Sequence, residues 1–417
     1  MSNARLISQI EEFVRRDPAR RGLIGADGAG PGRGELARAA DLFLRGGRPT
    51  GVGLITGFFI PATISQRLDG DVGGAAPEGP RGHAETDGPP GTIVLADVLS
   101  GLGMPTSIVT DEYCEPVVRA SFSDGFCGAV SLFVSPGGVA QSAAWRAGVL
   151  RDSMLRGLSH LVCIERVGPG YNLLKSVAEQ SGPEAAQSGS GVEQKQADAV
   201  IGWQPGHCCN MRGESIEAFS ADLHRLIDEV RSKNPNLKVV GIGDGGNEIG
   251  MGRFSREELL KRISGPHVDR VPCRISADAT IVAGVSNWGA YALAAAIAVQ
   301  YGRVDLLERH TAESQRQLLE RIVNEAGAVD GVTRKSEPTV DGLPFLTQIQ
   351  PWVDRRNSQV KPEIAPQPFP EIEPGSDKIQ GQFRMPGIVS GFYGELICRD
   401  LSCSGIWLFH VERNSHQ

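Results

Sequence analysis

Short apolar runs alternate with amphipathic stretches along the first 345 residues. The apolar runs, which are typical of buried strands, are residues 51–60, 106–110, 160–164, a run that begins at residue 238, and residues 274–283. Helical spacing of apolar positions is found in residues 35–44, 92–102, 139–157, 215–233, 290–301 and 311–326. Strands and helices that alternate in this way predict an α/β fold, with a mostly parallel, Rossmann-like three-layer sheet and helices on both faces.

Two stretches depart from this alternation. Residues 168–205 are low in apolar periodicity and rich in Gly, Ser, Gln and Glu, so we interpret them as a flexible surface insertion. From residue 346 onward the chain is Pro-rich and has no evident pattern. We therefore predict one α/β domain over residues 1–345 and a poorly ordered tail over residues 346–417.

Composition limits the environment of the protein. The 417 residues carry a formal net charge of -7, which argues against nucleic acid because phosphate binding needs a basic face. No run approaches the roughly 18 to 20 apolar residues needed to cross a bilayer. The amino-terminal residues lack the apolar core of a secretory signal. We expect an intracellular protein of the mitochondrial matrix or cytoplasm, with its eight cysteines reduced and no membrane partner.

Acidic residues follow three of the predicted strands. Asp111 and Glu112 end the second strand, Glu165 ends the third, and Asp244 ends the strand that begins at residue 238. In a parallel sheet the carboxyl ends of the strands share one edge. These acids are therefore expected to converge although they lie far apart in sequence.

The stretch from residue 238 to residue 252 is the most distinctive. It continues from a strand into a loop in which Asp244, Asn247 and Glu248 stand among several glycines. Two carboxyls and an amide on such a loop predict a reaction centre, although a tight turn with solvated acids is the plainer interpretation. Glycines 241, 243 and 246 also satisfy the dinucleotide fingerprint, but Asp244 stands where a pyrophosphate would have to pass.

Two helix starts and one further loop complete the predicted site. Residues 85–91 lead into one predicted helix, and residues 286–287 lie at the start of another. The free backbone amides of a helix start can bind an anion, or they can be capped by a neighbouring side chain. The loop at residues 207–213 suits a carboxylate better than a metal, because a guanidinium pairs with a carboxylate bidentately. The predicted substrate-binding residues are Glu85, Thr86, Asp87, Gly88, Glu165, Arg166, Asn210, Arg212, Gly245, Gly246, Ser286 and Asn287.

Taken in order, six strings resemble the D-glutamate cyclase family. They are Gly57-Phe58, residues 85–91, Ile164-Glu165-Arg166, residues 210–213, residues 241–252 and residues 330–345. The resemblance covers about residues 7–345, and the strings at 85–91 and 241–252 are its most specific parts. It implies a carbon–oxygen lyase that dehydrates D-glutamate to 5-oxo-D-proline. The tail after Phe345 does not resemble the family.

Ring closure of glutamate needs a base for the ammonium group and an acid for the departing oxygen. We predict that Asp244 and Glu248 divide these two roles in one order or the other, with Asn247 as a donor toward the reacting carboxyl. The sequence requires no cofactor, but the acids at the strand ends also suit Mg²⁺ or Mn²⁺. A homo-oligomer is compatible with the sequence, and the predicted ligand is a small amino acid.

Three other functions remain open at this point. A metal-dependent phosphohydrolase or phosphotransferase could use the same acids on a metal and the helix starts on phosphate. A non-catalytic protein could use the pocket to bind an amino acid. A dinucleotide-dependent oxidoreductase is the third alternative.

Overall fold

The computed structural model describes residues 2–25, 28–45, 47–62, 82–122, 130–152, 155, 157–172 and 203–345. Most of the predicted insertion and the whole predicted tail lie outside the described residues. The statements below concern the described residues.

One six-stranded parallel sheet forms the centre of the protein. Its strands are β1 (Val52–Thr56), β4 (Thr106–Asp111), β5 (Ser131–Ser135), β6 (His160–Ile164), β7 (Lys238–Gly243) and β8 (Ala279–Val282). Their order is β5-β4-β1-β6-β7-β8, and every neighbouring pair is parallel. Counted in chain order this is 3-2-1-4-5-6, the arrangement of the Rossmann fold, so the predicted fold class is confirmed.

Helices cover both faces of the sheet. They are α1 (Asn3–Val14), α2 (Glu35–Leu42), α3 (Pro89–Gly101), α4 (Glu115–Ala120), α5 (Val139–Val149), α6 (Arg225–Arg231), α7 (Arg256–Leu260), α8 (Ser286–Gln300) and α9 (Ala312–Ala326). Strand residues alternate between two cores, because successive side chains point to opposite faces. In β1, Leu54 joins the core of α1, α2, α3, α8 and α9, whereas Ile55 joins the core of α5 and α6.

Two short antiparallel pairs lie beside the main sheet. One pairs β2 (Phe59–Pro61) with β3 (Gly82–Ala84), and the other pairs β9 (Thr339–Val340) with β10 (Leu343–Pro344). The first splits the strand predicted over residues 51–60. The break falls at Gly57, whose φ is 109° and whose Cα is so close to Cys114 and Thr110 that a Cβ would collide with both.

The helix predicted over residues 215–233 is wrong in its first half. That half contains only a 3-10 turn at Glu217–Phe219, and α6 begins at Arg225. The chain is held extended at Ser220, because the carbonyl of Ala221 accepts a hydrogen bond from Arg166 at 2.8 Å. A contact with a residue distant in sequence therefore overrides the local helical pattern.

The cysteines at positions 114, 163, 208, 209 and 273 are buried free thiols, and burial raises the pKa of each. Such thiols are unreactive packing residues. None of the described helices combines the length and the apolar character that a bilayer crossing requires.

Candidate active site at the carboxyl edge of the sheet

The candidate site lies where the strand order reverses, between β1 and β6. Thr56 at the end of β1 is paired with Ile164 at the end of β6, and Ile164 is paired with Ile242 of β7. Glu165 and Asp244 therefore emerge from neighbouring strands at one edge. Ligands of open α/β sheets bind in this crevice.

Three carboxyl groups meet in this crevice. One oxygen each from Asp87, Glu165 and Asp244 lies within 4.8 Å of the others, and all three side chains are buried. Glu85 and Asp341 are buried close by and interact electrostatically with this group. We call these five residues the acid cluster. Three oxygens at this spacing could hold a divalent cation.

A single arginine enters the acid cluster among the described residues. Arg21 follows α1 and places Nη2 2.8 Å from Oδ1 of Asp244 and Nη1 2.5 Å from Oδ1 of Asp341. The carboxylate of Asp17 accepts hydrogen bonds from the backbone N–H of Arg21 and Gly22 and so fixes this turn. One positive charge thus faces five carboxyl groups.

The surplus of buried carboxyls shifts their protonation. Burial, together with neighbouring acids, raises the pKa values of Glu85, Glu165 and Asp244 well above their usual range. Burial and Asp341 raise the pKa of Asp87 to about 7, against the opposing effect of backbone hydrogen bonds from residues 286 and 287. Carboxyls with raised pKa values can exchange protons near neutral pH.

Backbone strain accompanies the cluster. Glu165 has a φ of 43° and Asp341 a φ of 55°, both in the left-handed region that non-glycine residues seldom occupy. Glu165 also accepts a 2.5 Å hydrogen bond from the hydroxyl of Ser286 at the start of α8. Strained conformations of this kind persist where the surroundings hold them, and they concentrate at functional sites.

Glu248 is arranged differently from the acid cluster. Its Oε1 accepts hydrogen bonds from the backbone N–H groups of Asp244 and Gly245, and its Oε2 accepts one from Gly246. The side chain is fully buried. The carboxylate therefore fills a nest of loop amides, and in this structure it fixes the loop that carries Asp244.

The backbone amides at the start of α8 also donate their hydrogen bonds to a buried side-chain carboxyl group. Asp87 accepts hydrogen bonds from the backbone N–H of Ser286 at 2.9 Å, of Asn287 at 2.8 Å and of Gly88 at 2.9 Å. Gly88 itself is pressed against β1 and β6, since a Cβ there would lie 2.9 Å from Thr56 and Glu165. Helix α3 therefore begins directly on the strand ends.

Some buried acceptors near the site have no hydrogen-bond partner among the described residues. They include Oε1 of Glu85 and Oδ1 of Asn247, although Nδ2 of Asn247 donates to the carbonyl of Cys209. Both oxygens of Asp244 also lack a well-oriented hydrogen bond, although Arg21 is within ion-pair distance. A buried acceptor without a hydrogen bond destabilises the folded protein unless a bound ligand supplies the donor.

Several predicted residues lie elsewhere or have other partners. Arg166 is fully buried and pairs with Asp111 at 2.6 Å, while it donates to the carbonyl of Gly57 at 2.9 Å. Thr86 donates its hydroxyl to the carbonyl of Thr339 at 2.7 Å. Arg166 thereby ties β4 and β6 to the chain that follows β1.

The loop at residues 210–213 forms its own turn. Oδ1 of Asn210 accepts hydrogen bonds from the backbone N–H of Arg212 and Glu214, and its Nδ2 donates to the Glu214 carboxylate. Arg212 is exposed. In this structure neither side chain contacts the acid cluster.

Two members of the site were not predicted as site residues. They are Arg21, on the turn after α1, and Asp341, which lies within the string at residues 330–345. Nothing in the local pattern separates Arg21 from Arg20 or Arg16. For Asp341, its position directly before Gly342 is typical of a turn and does not indicate that the side chain joins the other acids.

The sequence is similar to proteins of one known family. Residues 10–173 and 203–351 match the family model described as D-glutamate cyclase-like, C-terminal. The chain is also 27% identical over 304 residues to the human protein named D-glutamate cyclase, mitochondrial. That alignment covers 66% of this chain and 43% of the human protein, so the chain matches less than half the length of this relative. The family match extends over most of the chain, and the protein therefore belongs to the D-glutamate cyclase-like family.

Proposed function

We propose that this protein catalyses the intramolecular dehydration of D-glutamate to 5-oxo-D-proline. The observation that carries the proposal is the acid cluster, in which buried carboxyls with raised pKa values outnumber the arginine that faces them. A ligand with an ammonium group would balance this charge, and proton exchange is what the reaction needs. The name of the human relative supports the choice of substrate.

The reaction balances without an added reactant. The amine nitrogen of D-glutamate bonds to C5, the carbon of the side-chain carboxyl, and one C5–O bond breaks. The ammonium group gives up two protons in the course of the reaction, and the departing oxygen takes up two and leaves as water. The enzyme therefore needs one group that accepts protons and one that donates them, close to the same carbon.

Asp244 is the group best suited to accept the protons. Arg21 lies 2.8 Å from it and favours the ionised form, while burial and the other acids raise its pKa and make the carboxylate a stronger base. Its oxygens have no well-oriented hydrogen bond from the described residues. This assignment keeps Asp244 from the original pair of Asp244 and Glu248.

Glu165 replaces Glu248 as the partner of Asp244, and we assign it the role of the acid. Burial and Glu248 raise the pKa of Glu165 well above its usual range, which favours its protonated form. The Ser286 hydroxyl fixes its orientation. Both oxygens of Glu248 are taken by loop amides, which leaves that side chain no free position for proton transfer in this conformation.

A divalent cation is an alternative occupant of the cluster, and with it bound Glu165 would be an ionised ligand and not the acid. Asp87, Glu165 and Asp244 fit Mg²⁺ or Mn²⁺, because their oxygens are hard ligands and the oxygens of Asp244 are poorly satisfied. When bound, the ion would supply a Lewis acid beside the substrate carboxyl. A cation at this site also predicts a higher melting temperature with Mn²⁺ than after chelation.

The rival functions that bind phosphate are less well supported. The loop amides at residues 244–246 and the first amides of α8 are the natural places for a phosphate. Carboxylates of Glu248 and Asp87 already occupy them. A phosphate would have to displace a buried, hydrogen-bonded carboxylate at either place.

The proposed function is tested by product analysis of the purified full-length chain. Separate incubations with D-glutamate, L-glutamate and 5-oxo-D-proline, each with Mn²⁺ or after exhaustive chelation, are followed by chiral chromatography. Formation of 5-oxo-D-proline from D-glutamate is the expected result. Hydrolysis of phosphorylated small molecules without action on glutamate would support the phosphohydrolase, and calorimetric binding of D-glutamate without product would support a non-catalytic protein.

A further inference from the structure

Arg21 occupies a distinct place in the acid cluster. It lies on the turn between α1 and α2, and the residues on either side of it, Arg20 and Gly22, have φ values of 55° and 90°. The Asp17 carboxylate holds the backbone of this turn. This turn places the guanidinium of Arg21 beside Asp244 and Asp341.

Exposure places the arginine on the outer side of the cluster. The side chain of Arg21 is 15% exposed, whereas those of Asp244 and Asp341 are 1% and 3% exposed. Of these three side chains, that of Arg21 has the greatest contact with solvent. The site thus presents negative charge inside and positive charge outside.

Among the described residues, the guanidinium forms ion pairs at only two of its three nitrogens. It carries five N–H groups, and its ion pairs with Asp244 and Asp341 are made by one nitrogen each, Nη2 and Nη1. Donors remain for a further planar acceptor such as a carboxylate. Arg166, by comparison, is enclosed by Asp111 and backbone carbonyls, and Arg212 is exposed on its own turn.

We propose that Arg21 determines specificity by binding the α-carboxylate of the substrate, while the acid cluster receives its amine and side-chain carboxyl. This inference rests on the proposed function. An α-amino acid head group is a zwitterion, and it matches a site that is negative inside and positive at its outer side. Only the amine and the C5 carboxyl react, so the α-carboxylate is the group that a non-reacting contact can hold.

The charge balance favours Arg21 as the place of the α-carboxylate. The amine and the C5 carboxyl must meet in the acid cluster because they react, and a second carboxylate among Glu85, Asp87 and Glu165 would add a further like charge. The same carboxylate at Arg21, with the ammonium group turned inward, adds an attraction at each end. Arg21 thereby selects an amino acid with an α-carboxylate over a simple ω-amino acid.

The test compares two substrates in three proteins. 4-Aminobutanoate has the amine and carboxyl of D-glutamate at the same spacing but lacks the α-carboxylate, and its ring closure gives pyrrolidin-2-one. Wild type should prefer D-glutamate. Arg21→Gln should lower kcat/KM for D-glutamate by roughly 10- to 100-fold, the loss expected for charged hydrogen bonds. Because Arg21 also pairs with Asp244, kcat/KM for 4-aminobutanoate should fall as well, but by roughly tenfold less than for D-glutamate, since 4-aminobutanoate has no α-carboxylate to lose.

Arg21→Lys and Arg231→Gln complete the comparison. Lysine keeps the charge but loses the planar fork, so KM for D-glutamate should rise while kcat falls less. Arg231 pairs with Asp278 on the surface of α6, and its substitution should leave both substrates unchanged. If Arg21→Gln does not fold, the Arg21→Lys protein and the wild-type preference decide the question.

Failure of the inference can be distinguished from failure of the proposed function. Equal losses on both substrates in the Arg21 variants, with D-glutamate cyclised by wild type, would show that Arg21 only organises the acids. No turnover of either substrate by wild type would contradict the proposed function. In that case calorimetry still tests Arg21, since D-glutamate should bind more tightly than 4-aminobutanoate to wild type and not to Arg21→Gln.

Discussion

Asp87 and Asn287 cap each other's helices across the site. Asp87, just before α3, accepts hydrogen bonds from the backbone N–H groups of Ser286 and Asn287 in the first turn of α8. In return, Oδ1 of Asn287 accepts hydrogen bonds from the backbone N–H of Gly88 at 3.1 Å and of Gly91 at 2.8 Å in α3. Two helices whose own N-cap residues make no side-chain hydrogen bond are thus capped by one another.

This reciprocal capping predicts a large effect of Asn287→Ala. The substitution leaves the buried amide of Gly91 without its acceptor, at about 1–3 kcal/mol, while the amide of Gly88 keeps Asp87 as an acceptor. We expect the free energy of unfolding, measured in urea, to fall by about 1–3 kcal/mol. Asn236→Ala, at an exposed position, should stay within about 0.5 kcal/mol of wild type. A similarly small change for Asn287→Ala would contradict the capping role.

The crossing of α3 and α8 predicts opposite effects of two glycine substitutions. A Cβ at Gly91 would lie 2.7 Å from the Cβ of Ala290, so Gly91→Ala should destabilise the fold by about 1–3 kcal/mol. A Cβ at Gly148 in α5 meets nothing within 4 Å. Gly148→Ala should therefore stabilise α5 by roughly 0.5–1 kcal/mol. The Tm values of the two variants are compared by thermal unfolding. Equal shifts in Tm would contradict the close packing of α3 against α8.

Substitutions at Asp244 and Glu248 should separate catalysis from loop structure. Asp244→Asn removes the proposed base but also one buried like charge, so we expect kcat to fall about 10²–10⁴-fold while Tm stays at or above that of wild type. Glu248→Gln replaces one acceptor oxygen with an NH₂ group that faces backbone donors. Activity and Tm should fall together in that variant. A fully stable but inactive Glu248→Gln would return Glu248 to the acid or base role.

The raised pKa of Asp87 predicts that stability falls as pH rises. Between its ordinary value of 3.8 and its folded value of about 7, Asp87 keeps its proton in the folded protein and loses it in the unfolded chain. Unfolding therefore releases a proton, and the free energy of unfolding decreases through this range. Glu85, Glu165 and Asp244 contribute in the same direction.

Urea denaturation between pH 4 and pH 8, in the presence of a chelator, measures this slope. At about 1.4 kcal/mol per pKa unit, the contribution of Asp87 is on the order of a few kcal/mol. Asp87→Asn should give a flatter profile, and Asp228→Asn at an exposed position of α6 should reproduce that of wild type. A wild-type slope in Asp87→Asn would mean that Asp87 is ionised throughout.

Much of the architecture could be predicted because it depends on local patterns. Strand and helix alternation indicated the fold class, and parallel strands explain why Glu165 and Asp244 could be expected at one edge. Long-range contacts were not predictable. Arg21 resembles its neighbouring arginines in sequence, and the helix predicted over residues 215–233 breaks where Arg166 binds the Ala221 carbonyl.

Glu248 shows a further limit of sequence reasoning. On a glycine-rich loop, two acids four residues apart look equivalent. Their roles differ because the loop amides, directed by Gly246 with a φ of 103°, point at Glu248 and not at Asp244. The direction of backbone N–H groups depends on such dihedral angles, which a residue pattern does not specify.

The central claim is that the acid cluster closes the ring of D-glutamate at C5. The most direct measurement is ¹³C NMR of [5-¹³C]-D-glutamate during incubation with the purified full-length chain, with Asp244→Asn as the matched control. The account predicts that the C5 carboxyl signal is replaced by a lactam carbonyl signal with wild type, and not with the folded variant. Persistence of the carboxyl signal with folded wild type, with and without Mn²⁺, would contradict it.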